Sequence, residues 1–300
     1  GYSLAITKPP ANLTLHGRIA IVHGTPCDID REWRPLDDDN HHAEENAAFW
    51  PPAYIVARTM TEGDLNEEEI RCLQHVNELW VPSEWHRQRF TRMISSIPIH
   101  VLHDPTDVQF FAPHASIGDE RSATEPFVFL SIFKWEGRKG WDVLLEAYWR
   151  EFKREEAVTL RIKTYLNFWS GDAPPINLLP PTYDLSSQMA MIGNRIAWHA
   201  HMRLNRTLDE LPRIQLVSDR GEDAASRESV RELYASSDAF VLPTRGEGWG
   251  LPIAEAMSMG LPAIATNSSG PTAFLTRENS HPLPVHARLR EGFAEPSVAE

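Results

Sequence analysis

Short apolar runs recur along the chain, and most are followed by a polar or helix-patterned stretch. Arg18–Val22, Tyr54–Arg58, Glu78–Val81 and Pro98–Leu102 read as four strands of one region. Apolar runs of this kind belong to strands buried on both faces of a parallel sheet. The acidic, Pro-bearing stretch after Cys27 reads as surface loop. Asn66, followed by three acids and spaced apolar residues, predicts a capped helix to about His75. Ser83 caps another, opening the helical stretch through Phe90.

A polar stretch, Ser116–Glu125, has no apolar periodicity and reads as a linker. Beyond it the strands are Phe127–Ile132, Thr159–Leu166, Arg213–Ser218, Ala239–Leu242 and Ala263–Thr266. Helical spacing marks Trp141–Phe152 and Ser226–Ser236, and Tyr183–Arg206 carries an ambiguous helical signal. Asn167–Thr182, rich in Pro, Gly and Asn, reads as a long loop. Asn–Ser–Ser–Gly–Pro271–Thr is expected to start a last helix, and from His281 the chain is Pro- and charge-rich. Strands alternating with helices imply an α/β protein with parallel sheets. The organisation expected is a first domain over residues 1–115, a linker over 116–125 and a second domain over 126–300.

One stretch organises the second region: Arg245–Gly–Glu247–Gly–Trp–Gly–Leu–Pro–Ile–Ala–Glu255–Ala–Met–Ser–Met–Gly260. Pro243 ends a buried strand, and Gly246, Gly248 and Gly250 make a loop whose backbone can approach a ligand closely. Pro252 suits the first position of a helix, and Gly260 with Pro262 stops it. Glu247 therefore lies at the carboxyl end of a strand, where open α/β sheets bind ligands. Glu255 is expected in the first turn of the helix, beside free N–H groups that favour anions. A phosphate-bearing ligand over this loop would meet amide donors, with a carboxylate on either side for sugar hydroxyls. A second cluster, Lys134–Trp–Glu–Gly–Arg138–Lys139–Gly140, follows the first strand of the same region.

Two glutamates seven residues apart in a Gly-rich loop-to-helix turn resemble the donor-site motif of retaining GT-B glycosyltransferases (glycosyl transferases group 1). That group includes glycogen synthases, sucrose synthases and bacterial phosphatidylinositol mannosyltransferases. The resemblance implies two Rossmann-like domains, with donor-side residues Glu247, Gly248, Trp249, Gly250, Leu251 and Glu255. It gives Glu247 the hydroxyls of the transferred sugar and Glu255 the nucleotide ribose. A cationic pair on the donor diphosphate is also implied, with Lys139 matching one member. Many relatives have Arg where Phe133 stands, which leaves Arg138 or Lys134 to supply the other. Asp107-x-x-x-Phe111-x-Pro113 is similar to the family's exit from its first domain. The resemblance covers about Arg18–Ser297 and is strongest over Phe127–Leu275. The family's opening strand and Gly-rich loop are not found ahead of Arg18, and Ala294–Ser297 matches a stretch that relatives continue past, so a fragment is expected.

The reaction implied is transfer of a sugar from a UDP- or GDP-sugar to an acceptor with retained configuration. Glu247, Lys139 and Arg138 are the expected catalytic residues. No cofactor is implied beyond the nucleotide-sugar itself, and no Asp-x-Asp metal motif occurs. On the acceptor side His23 and Glu62 are candidates by position, with His86, His103 and Asp104 behind them. Two other readings stay open: a sugar-nucleotide epimerase or hydrolase on the same fold, and a degenerate module that binds a nucleotide-sugar or a protein without turnover. The hydrophobic share, 42% over 300 residues, is that of a globular protein. The formal charge of −13 argues against a nucleic-acid partner. No apolar run is long enough to span a membrane. Cys27 and Cys72 are expected to be reduced and packed, and the triplets at Asn12, Asn205 and Asn267 to be chance matches for glycosylation. A cytoplasmic enzyme is the default expectation.

Overall fold

The computed structural model describes residues 19–27, 54–113, 125–166, 185–218 and 226–285. The expected linker (but for Glu125), the Pro/Asn loop after Leu166, Asn12, Ala294–Ser297 and everything ahead of Ile19 lie outside the described residues. The described residues fall into two compact units divided near Leu102–His103.

The first unit is a parallel four-stranded sheet in the order β1 (Ile19–His23), β2 (Tyr54–Arg58), β3 (Glu78–Val81), β4 (Ile99–Val101). Ile55, Ala57, Leu79 and Val81 are buried, as their apolar runs require. Helix α1 (Glu67–Cys72) starts where the sequence predicts. Asn66 Oδ1 accepts from Glu69 N at 2.9 Å and Glu69 Oε2 accepts from Asn66 N at 2.8 Å, a reciprocal capping box. A 3-10 turn, Leu73–His75, carries the chain on to Asn77. That side chain accepts from Ile55 N at 2.7 Å while its backbone N donates to Ile55 O at 2.9 Å. Helix α2 (Glu84–Met93) adds Phe90, and Ile94 beyond it, to the core with Leu65, Leu73 and Val76.

The cysteines differ from expectation. Cys27 and Cys72 form a disulfide across 45 residues, tying the loop after β1 to the end of α1. Two cysteines this far apart give no spacing signal; only the fold brings them within 5.0 Å, Cα to Cα.

The second unit is a six-stranded parallel sheet in the order β10-β9-β8-β5-β6-β7. Its strands are β5 (Phe127–Trp135), β6 (Val158–Leu166), β7 (Arg213–Ser218), β8 (Ala239–Leu242), β9 (Ala263–Thr266) and β10 (His281–Leu283). Counted within the unit from the β7 edge, the order is third, second, first, fourth, fifth, sixth. This is the doubly wound order of dinucleotide-binding sheets, whose switch point lies between the first and fourth strands. Here those strands are β5 and β8, registered at Phe129–Ala239 and Leu130–Phe240. Asp238 locks them: its N donates to Val128 O at 2.9 Å and its Oδ2 accepts from Val128 N at 2.7 Å.

Helices α3 (Trp141–Glu151), α4 (Leu185–Leu204), α5 (Arg227–Ala235) and α6 (Leu251–Ser258) complete the unit. Trp141, Leu145 and Trp149 of α3, and Ile192 and Ile196 of α4, pack with Leu130, Leu160 and Ile162 of the sheet. Phe111, from the Asp107–Pro113 landmark, belongs to this same core. The ambiguous Tyr183–Arg206 stretch resolves as α4.

Two C-terminal expectations are corrected. After Thr266 the chain makes only a 3-10 turn, Gly270–Ala273. Thr276 N donates to Asn279 Oδ1 at 2.8 Å instead of extending a helix, and Ser280 Oγ donates back to Thr276 O. The Pro-bearing stretch at His281 is strand β10; an edge position tolerates Pro282 because one side of the strand needs no donor. Among the described residues no helix is long and apolar enough to cross a membrane.

Cys72→Ser, or reduction, is expected to destabilise the first unit by about 4 kcal/mol, the loop-closure value for a bridge of this span. Thermal unfolding with and without reductant measures the loss. A thiol titration in denaturant alone should find no free thiol; two titrating thiols would disprove the bridge.

Candidate functional site

Two loops meet at the carboxyl ends of β5 and β8. After β5 the chain makes a 3-10 turn, Gly137–Lys139, and enters α3 through Gly140. Gly140 is left-handed (φ 70°), and a Cβ there would lie 2.1 Å from Pro243 O, so only glycine lets the backbones close. Arg245, in the loop after β8, donates through its backbone N to Arg138 O at 2.7 Å. Its guanidinium forks onto Asp142, Nη1 to Oδ1 at 2.9 Å and Nη2 to Oδ2 at 2.8 Å, and Nη1 also donates to Gly137 O at 2.6 Å. Sequence reasoning missed this pair. An acid in the first turn of a helix is ordinary, and only the fold shows which arginine it meets.

The fork brings the predicted cations against the predicted carboxylate. Lys139 Nζ donates to both oxygens of Glu247, at 2.7 and 2.8 Å. Glu247 is 6% exposed, so it is a buried partner and not a solvated loop acid. Arg138 Nη1 lies 3.9 Å from Glu247 Oε1 and donates to Gly246 O at 2.7 Å; its Nη2 holds Glu136 at 3.0 Å. Behind the loop, Glu247 N donates to Ser269 Oγ at 2.8 Å and Gly270 N to Glu247 O at 3.0 Å. A Cβ on Gly270 would meet Gly248 O at 2.2 Å, which packs the Gly270 turn directly under the glycine loop. Trp249 is buried against Phe274 and His103. Lys134 does not join this cluster: it stands exposed on β5, between buried Phe133 and Trp135. Phe133 is core.

Glu255 is placed differently from expectation. Gly250, left-handed at φ 96°, is the N-cap, so α6 begins at Leu251 and Glu255 falls in its second turn. Glu255 thus lies beyond the reach of the helix end, whose charge fades within the first turn. Glu255 instead accepts from Tyr234 Oη at 2.9 Å, and the same hydroxyl lies 3.1 Å from Pro252 O. Burial raises the Glu255 pKa above the ordinary carboxylate value; the Tyr234 hydrogen bond and Arg227 oppose that shift. The pocket of N–H groups at the start of α6 is left to Gly250, Leu251 and their neighbours.

Of the acceptor-side candidates His23, Glu62 and His86 belong to the first unit, whereas His103 and Asp104 belong to the second. His23 and Arg58 pair in register at the ends of β1 and β2, and Arg58 Nη1 donates to His23 Nδ1 at 3.2 Å. Burial, then the Arg58 charge, lowers the His23 pKa, so the imidazole is a neutral acceptor. Glu62 is exposed beyond β2. His86 is fully buried, hydrogen-bonded to Thr61 O at 2.9 Å and pushed down to about 4 by desolvation, which makes it structural. Among the described residues no group of three or more His, Cys, Asp or Glu side chains could hold a metal ion.

Residues 184–296 match the family Glycosyl transferases group 1. Over 90% of its length the chain superposes on TarM of S. aureus with a TM-score of 0.58 at 15% identity, covering 45% of that protein. The chain has a GT-B fold. HepE of Anabaena, solved in complex with UDP and glucose, aligns over 74% of the chain and 55% of its own length, with a TM-score of 0.53 and 15% identity. Sucrose synthase 2 of Pisum sativum is 27% identical over 161 residues, 53% of this chain and 17% of the relative. The chain thus spans a minor part of that relative and about half of the solved structures. The resemblance read from the Glu247 loop agrees with the family match and with two parallel-sheet α/β units.

The raised Glu255 pKa carries a stability consequence. A carboxyl whose folded pKa exceeds its unfolded one costs stability when ionised, and the cost is relieved as pH falls through the folded value. Glu255→Gln is therefore expected to stabilise the protein at pH 7.5, by on the order of 1 kcal/mol. The gain should shrink toward zero below the ordinary carboxylate pKa. Urea unfolding at both pH values measures it, and a destabilised variant at pH 7.5 would count against the burial argument.

Proposed function

We propose that this chain transfers a sugar from a nucleotide-sugar donor to an acceptor, with retention at the anomeric carbon. The observation that carries the reading is the Lys139–Glu247 contact at the switch point between β5 and β8. An ammonium has three donors, and Glu247 takes two. The third is left for an oxygen of the donor diphosphate, beside the Arg138 guanidinium. Lys139 thus aims the carboxylate at the sugar and meets the leaving group with the same nitrogen. As the bond to the sugar breaks, negative charge grows on the diphosphate. Lys139, Arg138 and the N–H groups opening α6 oppose it, electrostatic stabilisation that calls on no metal.

Glu247 accepts from hydroxyls of the transferred sugar, Gly248, Trp249, Gly250 and Leu251 frame the donor, and Glu255 holds the ribose. His23, its pKa lowered by burial and then by Arg58, serves the acceptor side with Glu62. The structure of HepE with UDP and glucose supports a uridine donor over a guanosine one.

Uridine diphosphate is expected to raise the Tm and to bind in a calorimetric titration without magnesium. Guanosine diphosphate serves as the comparison, and no shift with either at millimolar levels would overturn the donor site. Consumption of nucleotide-sugar that depends on added acceptor separates transfer from hydrolysis, epimerisation and simple binding.

The ion pair sharpens the expectation for Glu247→Gln. The change removes the charge that Lys139 faces, so free diphosphate should bind as well as in the wild type or better. Turnover should fall roughly 10- to 150-fold, the equivalent of about 1.5–3 kcal/mol for a hydrogen bond to a charged group. Diphosphate binding weakened as much as turnover would show that Glu247 does not act on the sugar.

A further inference from the structure

We propose that Tyr234 is the positioning residue of Glu255, and that Phe111 of the Asp107–Pro113 segment holds Tyr234 in place. The inference rests on the reading of Glu255 as the ribose-holding carboxylate. Tyr234 has no exposed surface, and its ring lies between Phe111, edge-on at 5.9 Å, and Phe240 at 6.0 Å. A phenol buried in such a core needs a partner for its hydroxyl. It reaches α6 at two points one turn apart: Glu255 Oε2 at 2.9 Å and Pro252 O at 3.1 Å. The hydroxyl therefore fixes one carboxylate oxygen relative to the first turn of the helix. The other oxygen, Oε1, is left to meet a ligand.

Phe111 is 4% exposed and is held by its own loop: Asp107 Oδ1 accepts from Phe110 N at 3.0 Å, and Phe111 N donates to Asp107 O at 2.9 Å. Arg227 Nη2 binds Asp107 Oδ2 at 2.7 Å and its guanidinium sits 4.2 Å from the Phe110 ring centroid. The charged and titratable groups acting on Glu255 are thus Tyr234 and Arg227, both from α5, the latter already paired with Asp107. A segment read in the sequence only as a landmark becomes the back wall of the donor carboxylate.

Tyr234→Phe keeps the ring and removes only the hydroxyl. It is expected to raise the dissociation constant for uridine diphosphate about tenfold at pH 7.5, with turnover at saturating donor nearly unchanged. The acid limb of binding should move to higher pH, since the lost hydrogen bond had favoured the ionised carboxylate. On a Glu255→Gln background the same change should add less than about twofold.

An unaltered affinity and pH profile in Tyr234→Phe, with Glu255→Gln clearly weakened, overturns this inference alone. So does weaker binding whose acid limb stays in place, the result of a merely structural role. Unaltered affinity in Glu255→Gln removes the ribose reading and this inference with it. Should Tyr234→Phe not fold, Phe111→Leu takes its place: the same upward movement of the acid limb supports the assignment, and a wild-type profile refutes it.

Discussion

The site depends on the fork of Arg245 onto Asp142. The two loops it joins come from strands that neighbour each other but are more than a hundred residues apart in the chain. A guanidinium presents its donors in a fixed plane, so a bidentate grip sets angle as well as distance. With Gly137 O as a third acceptor, the grip leaves the two loops one relative position. Lys139 meets both oxygens of Glu247 because of that position. The backbone contact of Gly140 with Pro243 then makes the join too close for any side chain at that residue.

Stability alone does not account for the charges gathered there. Lys139, Glu136 and Glu247 sit where water is largely excluded, with the half-buried Arg138 beside them. Taking such a pair out of water costs about as much as its attraction returns, so an apolar pair of similar size would serve the fold as well. Glu255, half-buried and raised in pKa, is a further cost. Charges kept in place at no gain to the fold mark a candidate functional site.

The first unit repeats the theme in simpler form. A parallel sheet sends its strand ends to one side, which places His23 and Arg58 next to each other without any special device. What holds their surroundings is covalent: the Cys27–Cys72 bridge fastens the loop after β1 to α1. The lowered pKa of His23 follows from the same placement: burial lowers it most, and an arginine one strand away disfavours a second positive charge.

By itself the sequence determined the elements and their chemistry. β2, β3, β7, β8 and β9 run over the residues their pattern marks: β8 and β9 are wholly apolar or nearly so and largely buried, and the edge strand β7 alternates apolar with polar residues. Asn66 caps the helix it was read to cap, since a cap needs only the neighbouring backbone. The glycines, cation and glutamates of the loops after β5 and β8 were likewise visible as residue types at a spacing. Tertiary structure decided the partners: Lys139 with Glu247, Arg245 with Asp142, Tyr234 with Glu255, Cys27 with Cys72. It also moved the start of α6 to Leu251, because the left-handed turn at Gly250 is shaped by Pro271 and Ile253 packed against it. Local periodicity records which face of an element is buried. It holds no record of what lies on the far side of the fold, and every one of these pairings is made there.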